Sequence, residues 1–334
     1  MKEQHDAIDV LKFIGSVMIF AMHARAFADV ARVRFAWELL SRWAVPLFFV
    51  TSSYFLFSHG DGVINAAQLK KYERRIAMLY LVWFVFNLPG VVYTKMTEMS
   101  SFALWEIAVL VKDTVLSSTY IGSWYLVSSM FCAWLVYILR KRLSARMILI
   151  IAAVVQVVCV LSSVYAGLLP QGVRTALEFW DFPWNVLDGF FYFALGLFFA
   201  EKKEWKQKFS VFRCVALAAG GFALYAVEII VSVRLGYYNV SDQAFGLAPL
   251  CIGLFAFGMC VPLRVKYAGV LRKMSTIIYC AQGNVIVLKR VAARMFPALP
   301  SLLLFAVCAA VMTGIIAAVF ALQKKSTRWA KYLT

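Results

Sequence analysis

Long apolar runs separated by short polar segments dominate this chain. Ten runs approach the twenty or so residues that a helix needs to cross about 30 Å of hydrocarbon. They cover residues 8–29, 37–58, 76–94, 121–140, 146–166, 185–200, 212–235, 243–262, 270–289 and 301–322. The pattern predicts an all-α fold, a polytopic membrane helix bundle with about ten transmembrane helices. A shorter stretch at 101–116 carries three charged residues, which favours an interfacial or extracytoplasmic position. Because no segment has the composition of a linker, we expect residues 1–334 to form a single transmembrane domain.

Composition and charge agree with a membrane protein. The chain is 63% hydrophobic with a mean hydropathy of +0.78, whereas soluble domains are usually about 45–50% apolar. Its net charge of +17 does not indicate nucleic-acid binding, because the basic residues bunch between apolar runs. With the N-terminus inside, 22 of the 34 lysines and arginines fall in cytoplasmic segments and 11 on the opposite side. This bias predicts a multi-pass protein with cytoplasmic N- and C-termini, for which we expect the bacterial cytoplasmic (inner) membrane.

The residues that commonly bind metals are sparse. All seven cysteines fall inside apolar runs, with no CxxC pair among them, and the three histidines form no HExxH motif. These features predict neither a disulfide framework nor a metal site. We expect no bound cofactor.

The first apolar run carries Lys12 and His23. They are eleven residues apart, which places them on one helix face about three turns and 16 Å from each other along the axis. A membrane helix turns such a stripe toward protein or water, because ionisable side chains are costly in lipid. His23 could equally be buried for packing or for a hydrogen bond between helices.

Three other polar features have both a functional and a structural interpretation. Glu228 lies well inside its run and needs a partner such as Arg42 or Arg234, so it is either functional or one half of a structural ion pair. The basic run 70–75 is either a site for a phosphorylated cytosolic donor or an orientation signal that contacts anionic lipid. Trp124-Tyr125 is either a ligand-stacking pair or an interfacial anchor.

Several segments together resemble the acyltransferase 3 family of integral membrane O-acyltransferases. The run Ile8–Lys12 leading to His23 is similar to the family's opening Asp-x-x-Arg…His helix. Residues 42–54, RWAVPLFFVTSSY, look like its Arg-x-x-Val-Pro-Leu-Phe-Phe-x-x-Ser-Gly-Tyr segment. The basic run 70–75, Ser123–Leu126, Phe190–Gly196 and Ser275–Gln282 follow in family order. The likeness therefore extends over nearly the whole chain.

The resemblance implies transfer of an acyl group, acetyl from cytosolic acetyl-CoA, to a hydroxyl of a cell-surface glycan or lipid-linked sugar. It implies His23 as general base or transient acyl carrier, with Glu228 orienting the imidazole or balancing a cation. Substrate binding would involve Lys12, Arg42, Ser52, Lys71, Arg74, Arg75, Trp124, Tyr125 and Gln282. The implied partners are the acyl-CoA, the acceptor and membrane lipids, with no nucleic acid, and a homo-oligomer stays open.

Four positions depart from the family pattern. Lys12 stands where arginine is usual, which keeps the charge but loses the bidentate fork. The family's Arg-x-x-Arg appears as Lys71-x-x-Arg74, and the alternative register from Arg75 ends on Met78. Ser53 replaces a glycine and Gln282 replaces a late histidine. These changes bear on the geometry of the donor site, and they leave His23 as the only histidine inside the predicted helices.

Two other classes of function stay open on the sequence. A transporter or flippase would line a substrate path with these polar residues, although it would favour an internal repeat and broken helices. An amino-acid-binding membrane domain, like that of membrane-bound serine racemases, would bind its ligand in the polar core without acylation.

Overall fold

Helices and turns, and no strand, make up the described part of the computed structural model, which comprises residues 5–58, 62–98, 108–109, 111–112, 119–180, 182, 185–202, 204–237, 243–325 and 330–334. The helices are α1 Asp6–His23, α2 Ala31–Ser41, α3 Ala44–Phe57, α4 Ala66–Glu98, α5 Trp124–Arg140, α6 Ala145–Ser162, α7 Gln171–Phe179, α8 Phe190–Glu201, α9 Trp205–Lys208, α10 Val211–Arg234, α11 Leu247–Cys260, α12 Ala268–Met295 and α13 Ser301–Lys324. Short 3₁₀ helices lie at Ala166–Leu168 and Ala330–Leu333.

The all-α prediction is confirmed, and each of the ten predicted segments contains a helix. Among the described residues, five helical stretches are long and apolar enough to cross a membrane: Ala31–Phe57, Ala66–Thr97 of α4, α6, α10 and α13. The apolar helices α5, α8 and α11 are shorter, with 17, 12 and 14 residues. The count of ten transmembrane helices and the cytoplasmic termini stay predictions. The predicted interfacial segment 101–116 lies almost wholly outside the described residues.

Large apolar side chains cover the outer surface of the bundle. Val154 on α6 is 65% exposed, Phe212 on α10 is 80% exposed and Leu302 on α13 is 55% exposed. A water-soluble protein rarely exposes continuous apolar surface of this kind, whereas hydrocarbon solvates it without penalty. This outer face is therefore the surface of a membrane protein.

Helices α1, α4 and α12 run parallel to one another. Ser275 Oγ on α12 donates to Lys12 O at 2.9 Å, and further along Lys289 Nζ donates to Arg25 O at 2.9 Å. Arg294 Nη1 on α12 donates to Tyr93 OH on α4 at 2.8 Å. The Lys12 end of α1 therefore lies level with the starts of α4 and α12, and its His23 end lies level with their ends.

Two asparagines lock α4 to α12 next to a proline inside α4. Pro89 has no N–H and its ring disturbs the preceding turn of the helix. Asn284 of α12 accepts from Gly90 N at 2.9 Å and donates to Phe86 O at 2.5 Å. In return, Asn87 of α4 accepts from Asn284 N at 3.0 Å and donates to Cys280 O at 2.9 Å. Each carboxamide thus satisfies backbone groups of the other helix, as buried polar groups in lipid require.

Close approach of α3 and α8 depends on small residues. A Cβ added at Gly196 of α8 would lie 2.4 Å from Val50 O and 2.7 Å from Ser53 Cβ. Ser53, which stands where the resemblance expects glycine, is therefore accommodated because the partner helix has no side chain at this point. The departure at Ser53 leaves the helix packing intact.

Candidate functional site

His23 is the last residue of α1, six residues before the predicted end of the first segment. The chain turns there, with Arg25 at a φ of +48°. Lys289 Nζ donates to the carbonyls of Ala24 and Arg25, and Ser301 Oγ donates to Ala26 O at 3.1 Å. Carbonyls at a helix C-terminus lack partners within the helix, so this buried lysine caps α1. The cap holds the His23 turn against α12 and α13.

The loop beyond α1 is also held by a carboxylate. Ser301 N donates to Asp29 Oδ2 at 2.7 Å, and this backbone hydrogen bond holds the pKa of the Asp29 carboxyl below its ordinary value. A hydrogen bond to the ionised form favours that form. Neither Asp29 nor Lys289 was singled out from the sequence, although a lysine inside an apolar run is itself a signal.

The predicted polar stripe of α1 faces protein. Lys12 Nζ lies 5.9 Å from the centre of the Phe48 ring of α3. His23 and Lys12 are surrounded by neighbouring side chains, yet both keep partly exposed surface. Two cationic side chains, Arg42 and Arg290, act electrostatically on the His23 ring.

A group of charged residues gathers at the other end of α1. Arg272 Nε of α12 lies 3.5 Å from Asp9 Oδ1. The charges of Arg75 on α4 and Arg272 act on Lys12. The sequence analysis anticipated Lys12 and Arg75 here, but it missed Arg272, which only the packing of α12 against α1 brings to this end. We call Lys12, Arg75 and Arg272 the basic end.

The other predicted donor-site residues of α4 are placed differently. Arg74 lines a shallow groove of about 510 Å³ on the α4–α5 surface, together with Lys70, Glu73 and Trp134. Lys71 is exposed. Successive residues on a helix are rotated by about 100°, so Arg74 and Arg75 cannot share one face. The structure therefore separates Arg74, which lines the groove, from Arg75, which is also exposed but whose charge acts on Lys12.

Ser52, Trp124 and Tyr125 come together between the basic end and His23. Tyr125 OH and Ser52 Oγ are 2.8 Å apart, and the centre of the Tyr125 ring lies 4.7 Å from that of Phe49 and 5.6 Å from that of Tyr279. The centres of the Trp124 and Phe49 rings are 5.8 Å apart. Tyr72 and Ser129 bring two more buried hydroxyls close to Tyr125. This wall is aromatic and rich in hydroxyl groups.

Gln282 lies two turns beyond Ser275 on α12, toward His23. It is fully buried, and its Nε2 donates to Tyr279 O at 3.0 Å. A Cβ added at Gly122 would come within 2.7 Å of this nitrogen, and Gly122 has a φ of +86°. Glycine thus allows the turn before α5 to close over the amide. The amide oxygen has no hydrogen bond with any described residue.

Glu228 is not brought to this group by any described contact. Its two carboxylate oxygens accept from Phe245 N and Gly246 N, both at 3.0 Å, at the start of α11. The predicted ion pair with Arg42 or Arg234 stays a prediction, and the partners that the described contacts give this carboxylate are backbone N–H groups at a helix start. The contacts favour a structural role. Within the described ranges, no three His, Cys, Asp or Glu side chains are placed to hold a metal ion.

The chain matches one family model and is similar to two curated proteins. A family model described as an acyltransferase domain, that of the acyltransferase 3 family, matches residues 5–322. Two proteins of Enterococcus faecalis, each named amino-acid racemase, are 26% identical over 201 residues and 27% identical over 159 residues. These matches cover 59% and 44% of this chain but only 27% and 21% of the relatives. The chain thus spans about a quarter of their length, and no solved structure matches it significantly.

Proposed function

Because the chain belongs to the acyltransferase 3 family, we propose that this membrane acyltransferase moves an acetyl group from cytosolic acetyl-CoA to a hydroxyl of a cell-surface glycan or lipid-linked sugar. The proposal places the protein in the bacterial inner membrane, with the basic end toward the cytosol. The supporting observation is the course of α1, which joins the basic end to His23 past the aromatic wall of Ser52, Trp124 and Tyr125.

The basic end would bind the phosphates of CoA. Lys12, Arg75 and Arg272 come from three helices and outnumber the carboxylate of Asp9 that faces them. Guanidinium groups match phosphate geometry with paired donors, and a lysine adds a point charge. The long pantetheine arm would then extend along Tyr125 and Gln282 toward His23.

His23 would act as the general base. Its ring nitrogen accepts the proton of the acceptor hydroxyl while the hydroxyl oxygen attacks the thioester carbonyl. Collapse of the tetrahedral intermediate breaks the carbon–sulfur bond, and the imidazolium returns the proton to the CoA thiolate. The positive charge of Arg42, which acts on the ring, would stabilise the oxyanion that forms in between.

The test is the turnover of radiolabelled acetyl-CoA by purified protein in detergent. His23→Ala is expected to abolish both hydrolysis and transfer, since removal of a general base costs about 10²–10⁴-fold or more. His5→Ala is the matched control, because His5 lies at the opposite end of α1, where its ring packs against Phe55 with the ring centres 5.6 Å apart. Equal turnover by His23→Ala and His5→Ala, at equal thermal stability, would remove His23 from the mechanism.

A second candidate is an amino-acid-binding membrane domain, which the similarity to proteins named amino-acid racemase favours. In that case the interior beside His23 would bind an amino acid and no acyl group would move. Serine would then raise the melting temperature of the purified protein, and acetyl-CoA turnover would be absent. Turnover without serine stabilisation would decide for acyl transfer.

A further inference from the structure

A second cavity lies between α4, α12 and the turn before α5. Its volume is about 200 Å³, and it is lined by the cationic side chains of Lys95 and Arg290. Thr94, Thr119 and Tyr120 also line it. No described residue that lines it carries a carboxylate. The cavity is smaller than the roughly 300–1,000 Å³ of sites for drug-sized ligands, so it suits a small anionic group rather than a whole glycan.

The cavity lies toward the His23 end of α1. Since α1, α4 and α12 are parallel, His23, Lys95 and Arg290 lie toward the same ends of these helices. The charge of Arg290 acts on the His23 ring. The cavity is therefore well away from the basic end, which lies about three turns back along α1.

Lys95 and Arg290 differ from Arg294, one turn beyond Arg290 on α12, in their hydrogen bonding. Arg294 donates to Tyr93 OH at 2.8 Å and is not part of the lining. Among the described residues, Lys95 and Arg290 have neither a hydrogen bond nor an ion pair. The asparagine exchange between Asn87 and Asn284 fixes the separation of the two helices that carry them. Two cations are thus held across one small cavity without a described counter-ion.

We propose that this cavity binds a phosphate group, with Lys95 and Arg290 as its cationic ligands. Resting on the proposed acyl transfer, the phosphate belongs to a phosphorylated amphiphilic acceptor whose hydroxyl is thereby held beside His23. The guanidinium supplies a planar pair of donors, the ammonium a point charge, and the threonine and tyrosine hydroxyls further donors. The same chemistry would also hold the phosphate of a bulk phospholipid, so the experiment separates these two sources.

The experiment measures thermal unfolding of the full-length protein in detergent against inorganic pyrophosphate at constant ionic strength. Ligand bound to the folded state raises the melting temperature. Wild type and the control Arg294→Gln are expected to be stabilised alike. In the double variant Lys95→Gln/Arg290→Gln the half-saturating concentration should rise at least about tenfold, because two charge-assisted contacts are lost. The charge-retaining double variant Lys95→Arg/Arg290→Lys should keep the stabilisation and shows that folding is not at fault.

Two further arms identify the source of the phosphate. Farnesyl pyrophosphate in the micelle represents a phosphorylated amphiphilic acceptor, and phosphatidylglycerol represents bulk lipid. Stabilisation that depends on Lys95 and Arg290 supports the site. The probe that raises the melting temperature more identifies the source of the phosphate. Equal shifts in wild type and in Lys95→Gln/Arg290→Gln with every probe would overturn the proposal.

Acetyl-CoA turnover, by hydrolysis or by transfer to a supplied hydroxyl acceptor, is measured on the same samples. Its absence would refute the proposed acyl transfer while leaving a phosphate site that depends on Lys95 and Arg290. The variant Arg75→Gln identifies any pyrophosphate that binds at the basic end. It should not alter the share of the stabilisation that is lost in Lys95→Gln/Arg290→Gln.

Discussion

Replacing Asn284 by leucine tests the exchange of hydrogen bonds that holds α4 against α12. Leucine has nearly the same shape but removes the bonds to Gly90 N and Phe86 O, which measure 2.9 Å and 2.5 Å. An unmade buried hydrogen bond costs about 1–3 kcal/mol, and bonds between membrane helices average about 0.6 and reach about 1.7 kcal/mol. Two such losses predict a destabilisation of about 1–3 kcal/mol.

The assay is thermal unfolding of the purified protein in detergent, where a fall of a few degrees is expected at about 2–4 °C per kcal/mol. Thr313→Val is the matched control, because Thr313 bonds only Ala309 O of its own helix and is exposed. Asn87→Leu should give a similar loss, and the double variant should lose less than the sum because the bonds are shared. If Asn284→Leu melts together with Thr313→Val, the reciprocal bonds do not hold the two helices together.

Two further predictions concern the division of residues that the structure makes. Arg75→Gln should raise the Michaelis constant for acetyl-CoA by roughly 10- to 100-fold, which is the value of one charge-assisted contact. Arg74→Gln on the outer groove should change this constant little. Equal effects of the two variants in steady-state kinetics would contradict the placement of Arg75 at the basic end. Glu228→Gln should lower the free energy of unfolding by about 1–3 kcal/mol, because an amide nitrogen replaces one of the two oxygens that accept from the start of α11. The melting temperature should fall accordingly, while turnover per folded molecule stays near wild type. A large loss of turnover at unchanged stability would instead make Glu228 catalytic.

The positions of the helices could be predicted from the sequence because hydrophobic length is a local property. Each of the ten apolar runs contains a helix, yet α1 ends at His23 rather than at residue 29. That end depends on Lys289, which lies more than 260 residues away and caps the carbonyls of Ala24 and Arg25. A cap supplied from so far along the chain leaves no local signal at the end of the first run.

The candidate site divides in the same way. The family resemblance located His23, Lys12, Ser52 and Tyr125, and the structure brings Ser52 to Tyr125 and Lys12 to the Phe48 ring. Glu228 was equally conspicuous as a carboxylate in an apolar run, but its partners are backbone groups at the start of α11. Charge in an apolar segment shows that a partner is needed, and only the packing shows which partner it is.

The sequence by itself determined that this is an all-helical membrane protein of the acyltransferase 3 family, because apolar length and motif order are written along the chain. The tertiary structure decided which charges meet. It brought Arg272 to Lys12, separated Arg74 from Arg75, and set Lys95 and Arg290 across one cavity near His23. Those contacts depend on the rotation and register of packed helices, which small residues and buried amides set between segments far apart in the chain.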